Sequence, residues 1–420
     1  GGRAGMGSRA AAAARRRAGV PAGERHVAVL GGGGGGCSAA YQLARAGARV
    51  TLVEREEVAA SSSGKAGGFL ARDWGDAATR ALHVKSFELH AELADELGIE
   101  SWRPIPTLSV GRGRGGGASG ATPAPAPWLD GVGVRQELMD KNTAQVTPRE
   151  LTTKLSEAAV ALGAEVVIGK ATGVVEGEAA PGAGPEVRAV RAVRLEVDGR
   201  EQELECSDVL VAMGVWSTLA APWFDLDEAD WPLAGIKSSH AIWEGREAVR
   251  RDPYALFCQE DENGCHLEVY PRSNGDLYVC GIGSSEHVED LDRLREGGDC
   301  GSASVVAPNL ERVAAASRSL AALTGEGQGP PDVVGACLRP CAPDARPMMG
   351  QIEGWDNAFL AAGHNCWGIL WGPISGKAMS ELILEGDACV DLSAFAPGRF
   401  MRPRAKRGRQ RGSEPVGEQW

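Results

Sequence analysis

The sequence has no run of about 18 consecutive apolar residues, the length a helix needs to cross a bilayer, and no apolar signal-peptide core near its start. No membrane span is expected, and a soluble protein is. Positive charge is outweighed, with 44 Lys and Arg against 56 Asp and Glu and a formal net charge of -12. A chain of that sign does not gather nucleic acid or anionic lipid. No C-x-x-C pair occurs among the 10 cysteines, and none is spaced with histidines as a zinc site requires. No metal site is expected, and scattered thiols of this kind read as reduced.

What is present is length enough for two substructures: 420 residues exceed what one compact core usually covers. Residues 1–25 set Arg3, Arg9, Arg15, Arg16, Arg17 and Arg25 against the single acid Glu24. This composition fits either an organelle transit peptide, which would send the chain to plastid or mitochondrion, or a disordered leader of a cytoplasmic protein. Two stretches, Gly111–Pro127 and Glu176–Pro185, are too low in complexity to bury a core and read as loops. The basic tail 401–420 reads as disordered.

Between these lie alternating strand and helix patterns. His26 to Leu30 is a β-prone run ending at glycine, and Ala39, Ala40, Leu43 and Ala44 share one face of a following helix. Ala48–Val53 is the next strand. Helices are expected over Leu82–Leu97, Pro148–Leu162 and Ser375–Leu384, with strands at Glu165–Ile168, Val209–Ala212 and Phe359–Ala362. From Trp231 to Ser284 short β-like pieces surround a hairpin turn at Arg272–Asp276, which suits an antiparallel sheet. The expected division is a discontinuous nucleotide-binding domain (26–100, 144–220 and 333–395) and a substrate domain (101–143 and 221–332).

Gly31, Gly33 and Gly36 fill the fixed positions of G-x-G-x-x-G, after a strand and at the opening of a helix. The first permits a tight turn, the second lets backbone approach a pyrophosphate, and the third packs helix against strand. Glu54, 18 residues after Gly36 at the end of the second strand, is placed to accept ribose hydroxyls. It would repel a 2'-phosphate. A dinucleotide follows from this unit, but FAD and NAD stay open.

Four blocks decide between them by resemblance: Ser61–Gly68, Ala212–Ser217, Cys337–Gly350 and Gly363–Lys377, the last followed by Phe395–Phe400. In order and wording they resemble the D-amino-acid oxidase superfamily of FAD-dependent oxidoreductases, which includes glycine oxidase and sarcosine oxidase. They are similar in particular to a eukaryotic branch of FAD-dependent oxidoreductase domain proteins. The resemblance implies an α/β fold, α+β overall, in which a Rossmann-like FAD-binding domain of the glutathione-reductase type adjoins an antiparallel substrate sheet. It implies FAD held by Gly31, Gly33, Gly36, Cys37, Glu54, Arg55, Ser62, Ser63, Gly67, Gly68, Thr172, Gly214, Trp216, Cys337, Gly363, Gly368 and Ile369. Cys337 falls near the position at which sarcosine-oxidase-like enzymes tether the flavin through sulfur.

For chemistry, the resemblance implies hydride transfer from the carbon of an amine or amino acid to flavin N5, with O2 as the reoxidant. Arg339 matches the arginine that holds a substrate carboxylate, a task for a planar bidentate donor. His364 is expected near the ring or capping local backbone. Two departures stand out: Cys366 where glycine-oxidase-like members carry a second arginine, and Glu268 where related pockets often present tyrosine. Both argue against a simple small amino acid, and Glu268 suits an amine or basic substrate. Two other readings remain: a flavin dehydrogenase that uses a quinone or protein acceptor, and a flavin-bound interaction or trafficking protein with low turnover.

Overall fold

The computed structural model describes residues 20–113, 125–180 and 183–401. Most of the expected leader, the centre of the 111–127 loop and nearly all of the basic tail lie outside the described residues.

β1 (His26–Leu30), α1 (Gly34–Arg45) and β2 (Arg49–Glu54) form the expected βαβ unit. Helix α2 (Arg80–Leu97) follows, and α3 (Pro148–Ala161) carries the chain to β3 (Glu165–Ile168). Pro148 opens α3 at a position where its missing N–H loses no partner. Beyond β4 (Asp208–Val211) come β5 (Ala234–Trp243), β6 (Glu268–Pro271), β7 (Leu277–Cys280) and β8 (Val333–Cys341). The fold closes with β9 (Met348–Gln351), β10 (Ala358–Ala362) and α4 (Gly368–Glu385).

Among the described residues one sheet runs β9-β10-β4-β1-β2-β3, parallel except where β9 turns back on β10. β1 lies inside it, covered on both faces, which is why it reads as an unbroken apolar run after His26. Val27 and Val29 join the core shared with α1 and α4, while Ala28 and Leu30 point to the opposite core around Phe224 and Trp231. A second, largely antiparallel sheet contains β5 to β8, and the expected hairpin joins β6 to β7 with Glu268 opposite Cys280. β8 pairs along β5, from Cys341 opposite Ala234 to Val333 opposite Ile242. Arg339 therefore rides on a strand of the antiparallel sheet.

Two positions differ from the expectation. Arg25, the last residue of the expected leader, has a side chain only 1% exposed that forms a two-pronged ion pair with Asp208. Helix α4 begins at Gly368 instead of Ser375, running straight through Pro373. Proline takes away the N–H that would bond Ile369 O one turn back. His90 of α2 donates from Nε2 to that carbonyl at 3.0 Å, and the Ser86 hydroxyl donates to Leu370 O. Their donors make a helix possible where the proline alone reads as a stop. His90→Leu strips the Ile369 carbonyl of this donor and is expected to lower stability by about 1–3 kcal/mol, measured by urea denaturation. A change below a few tenths would mean that the backbone repairs itself.

Candidate functional site

A cavity of about 970 Å³ opens between the two sheets, and all four motif blocks reach its wall. At one end, Gly31 adopts φ +113°, and a Cβ there would lie 2.4 Å from Ala212 O; at Gly36 it would lie 2.0 Å from Gly31 O. No other residue permits this turn and this helix–strand approach together. The start of α1 thus comes up against the cavity, with its positive dipole end turned to an incoming anion. The Ser63 hydroxyl accepts from Gly34 N at 2.8 Å and holds the Ser61–Gly64 turn over this helix start. Beside it the Glu54 carboxylate accepts from Gly32 N at 2.7 Å and Glu56 N at 3.0 Å, fixed where β2 ends.

The neighbouring wall is fastened by polar contacts. Glu56 accepts from Ala303 N at 2.8 Å and Ser304 N at 3.1 Å, while Lys65 donates to Ala303 O at 2.8 Å. Lys65 thereby ties the Ser61–Gly68 segment to this wall. The Arg55 guanidinium lies over the Trp216 ring at 5.4 Å, and Trp216 Nε1 donates to Cys300 O at 3.1 Å.

At the other end, β6, β7 and β8 face the loop before α4. The Arg339 guanidinium donates from Nη1 to the Cys366 thiol, its Nε has no partner, and both residues line the cavity. Burial pulls the Arg339 pKa down, but the surrounding Cys366 and Glu268 side chains outweigh this, leaving it above its ordinary value. It stays a cation. Glu268 Oε2 accepts from the Tyr270 hydroxyl at 2.5 Å and the Cys280 thiol at 3.5 Å. His364 bonds Ser375 Oγ at 3.0 Å, and burial pushes its pKa down to about 4. It is a neutral hydrogen-bonding group at physiological pH, and not a proton carrier there. Burial also raises the Cys337 thiol.

The cavity wall brings together Gly31, Gly33, Glu54, Arg55, Ser62, Ser63, Gly67, Gly68, Thr172, Gly214, Trp216, Cys337, Gly368 and Ile369 with Arg339, His364 and Glu268. Gly36, Cys37 and Gly363 are not on it. Gly36 serves helix packing; Cys37 is buried behind the glycine turn, its thiol donating to Gly32 O at 3.4 Å; Gly363 is packed beside Leu233. Missed by sequence reasoning were the aromatic side chains Phe69, Trp74, Phe257 and Tyr270 of the wall. They come from separate segments with no common spacing. Among the described residues no cluster of three or more His, Cys, Asp or Glu is placed to hold a metal, and no helix is long and apolar enough to cross a membrane.

Buried neutral histidines predict a pH response. His90, His240 and His364 are each pushed by burial from 6.5 down to about 4. As pH falls below 6.5 the unfolded chain takes up protons that the folded chain refuses, so stability is full above that value and drains away toward about 4. Each histidine contributes at most roughly 3 kcal/mol over this window. Thermal melts are expected to show Tm falling steadily through it. A flat Tm would contradict burial in the neutral form.

The glycine turn, the helix start and Glu54 suit the adenine and pyrophosphate portion of a dinucleotide, and the cavity leads on from them to Arg339. The FAD dependent oxidoreductase family model, DAO, matches residues 26–382. Protein C1F5.03c of Schizosaccharomyces pombe is 27% identical over 365 residues, covering 82% of this chain and 89% of that protein. Glycine oxidase of Bacillus licheniformis is 26% identical over 196 residues, 46% of each chain. Among solved structures, L-amino acid deaminase from Proteus myxofaciens in complex with anthranilate superposes with a TM-score of 0.71 at 16% identity, over 90% of this chain and 94% of that one. Glycine oxidase from Geobacillus kaustophilus gives 0.69 at 19% identity, over 89% and 99%. The chain belongs to the DAO family of FAD-dependent oxidoreductases.

Proposed function

We propose that this enzyme oxidises the C–N bond of an amino acid or amine, with Arg339 holding the substrate carboxylate and O2 taking the electrons. The observation that carries this reading is Arg339 itself: a cation on the cavity wall, on a strand facing the Gly368 end of α4, with its Nε unpartnered. A planar fork in that position recognises a carboxylate. The relatives named glycine oxidase and L-amino acid deaminase support the same substrate class.

FAD supplies the hydride acceptor, and Gly31–Gly35, Glu54, Ser62, Ser63 and the backbone at Thr172 and Gly214 are the groups that would hold it. The protein's own part is to bind and orient. The positive field of Arg339 favours the neutral form of a nearby amine, whose nitrogen lone pair must be available as the C–H bond leaves with its electron pair. His364, neutral and hydrogen-bonded to Ser375, adds a fixed dipole without competing for that proton. The imine is then hydrolysed by water to a carbonyl compound and an amine or ammonia, while O2 becomes H2O2. An oxygen electrode with the flavin-loaded protein and a panel of amino acids, N-methyl amino acids and polyamines tests the reading. Substrate-dependent oxygen uptake with matching H2O2 supports it; reduction of an artificial acceptor without oxygen uptake would move the enzyme to the dehydrogenases.

A further inference from the structure

Glu268 lies on the cavity wall with only neutral partners bonded to it, the Tyr270 hydroxyl and the Cys280 thiol, both on Oε2. Arg339 is close enough to feel its charge, yet no ion pair joins them among the described residues. Around Glu268 stands an aromatic wall. Tyr270 stacks on Phe69 at 5.1 Å and 10°, Phe257 meets Phe69 edge-on at 5.2 Å, and Trp74 tilts against Phe257 at 5.2 Å. In a chain that is only 5% aromatic this concentration is local. A carboxylate without a fixed counter-ion, beside ring faces and edges, is a receptor for a cation that comes from outside.

That cation is not the reacting amine. A carboxylate against the reacting nitrogen would hold it protonated and engage the lone pair that hydride departure needs, so Glu268 would oppose the chemistry. Arg339 does the reverse. The two opposite charges therefore serve two different parts of one molecule. The geometry points to a substrate with a second, protonated nitrogen: the reacting amine near Arg339, an apolar linker along the aromatic wall, and the second cation at Glu268. Basic amino acids and diamines share this chemistry. The inference rests on the amine-oxidation reading above, and it makes Glu268 the residue that sets specificity.

Matched pairs separate the cases: lysine against norleucine, and a diaminoalkane against the n-alkylamine of equal chain length. With flavin-loaded protein under anaerobic conditions, flavin bleaching gives kcat/KM and quenching of intrinsic tryptophan fluorescence gives binding. The cationic member is expected to bind more tightly and to react about tenfold to a hundredfold better. If the lysine pair separates and the diamine pair does not, the substrate is a basic amino acid; the converse marks a diamine. Glu268→Gln is expected to bring the ratio toward one, and Glu268→Asp to keep part of it, with flavin absorbance retained in both. A wild-type ratio near one in both pairs, or a Glu268→Gln ratio equal to wild type, overturns the inference while leaving amine oxidation standing. If no amine of either kind bleaches the flavin, the underlying reading falls first and takes this one with it.

Discussion

Asp208→Ala is expected to lower the free energy of unfolding by about 3–5 kcal/mol, the range for breaking a buried ion pair from one side. Asp208 is fully buried and receives Arg25 Nη2 at 2.8 Å and Nε at 3.1 Å, with Ser207 Oγ donating at 2.7 Å. Arg25 also reaches Leu384 O at 3.4 Å. One guanidinium thus ties the start of β1 to the start of β4 and the end of α4. Removing the carboxylate leaves that cation desolvated with no counter-charge. Replacing both partners by apolar residues, as in Arg25→Met with Asp208→Leu, removes the stranded charge as well and is expected to recover much of the loss. Urea denaturation with the double-mutant cycle checks both; a single-mutant loss under 1 kcal/mol would show that water reaches the pair.

Arg339→Met is expected to cut kcat/KM for a carboxylate-bearing substrate by about a hundredfold to a thousandfold, equivalent to roughly 3–4 kcal/mol. Arg339→Lys is expected to recover only part, because an ammonium does not reproduce the planar fork. The telling comparison is with an amine that has no carboxylate. If Arg339 holds the carboxylate, that amine loses far less. An equal loss for both would mean that Arg339, through Cys366, chiefly holds the loop before α4 in place. Flavin absorbance of the variant, unchanged from wild type, separates either result from misfolding.

The parts of this molecule legible in its sequence are those whose signal is local. The β1–α1–β2 unit announces itself through a strand, a glycine turn and an acid within about 30 residues, and Glu54 sits at the end of β2 as expected. The start of α4 was not legible, because the groups that let Pro373 sit inside a helix, Ser86 and His90, belong to α2. Arg25 was hidden by its neighbours: in an arginine-rich leader nothing marks the one whose counter-ion lies 183 residues away. Cys366 reads as a lost arginine, and only the fold shows its thiol against Arg339. The aromatic wall had no pattern to find, since Phe69, Trp74, Phe257 and Tyr270 converge from three parts of the chain. Cys37, next to the last motif glycine, is turned by helix geometry into the core, which its position in the sequence does not announce.

We propose that one cavity holds FAD, with its adenine end at the glycine turn, together with a carbon–nitrogen substrate at the Arg339 end. The absorbance of the purified flavoprotein, followed anaerobically as amino acids and amines are added, tests it most directly. The oxidised flavin spectrum is expected to bleach with at least one such compound and to return when O2 is admitted, with H2O2 formed. A spectrum left unchanged by every amino acid and amine would contradict it.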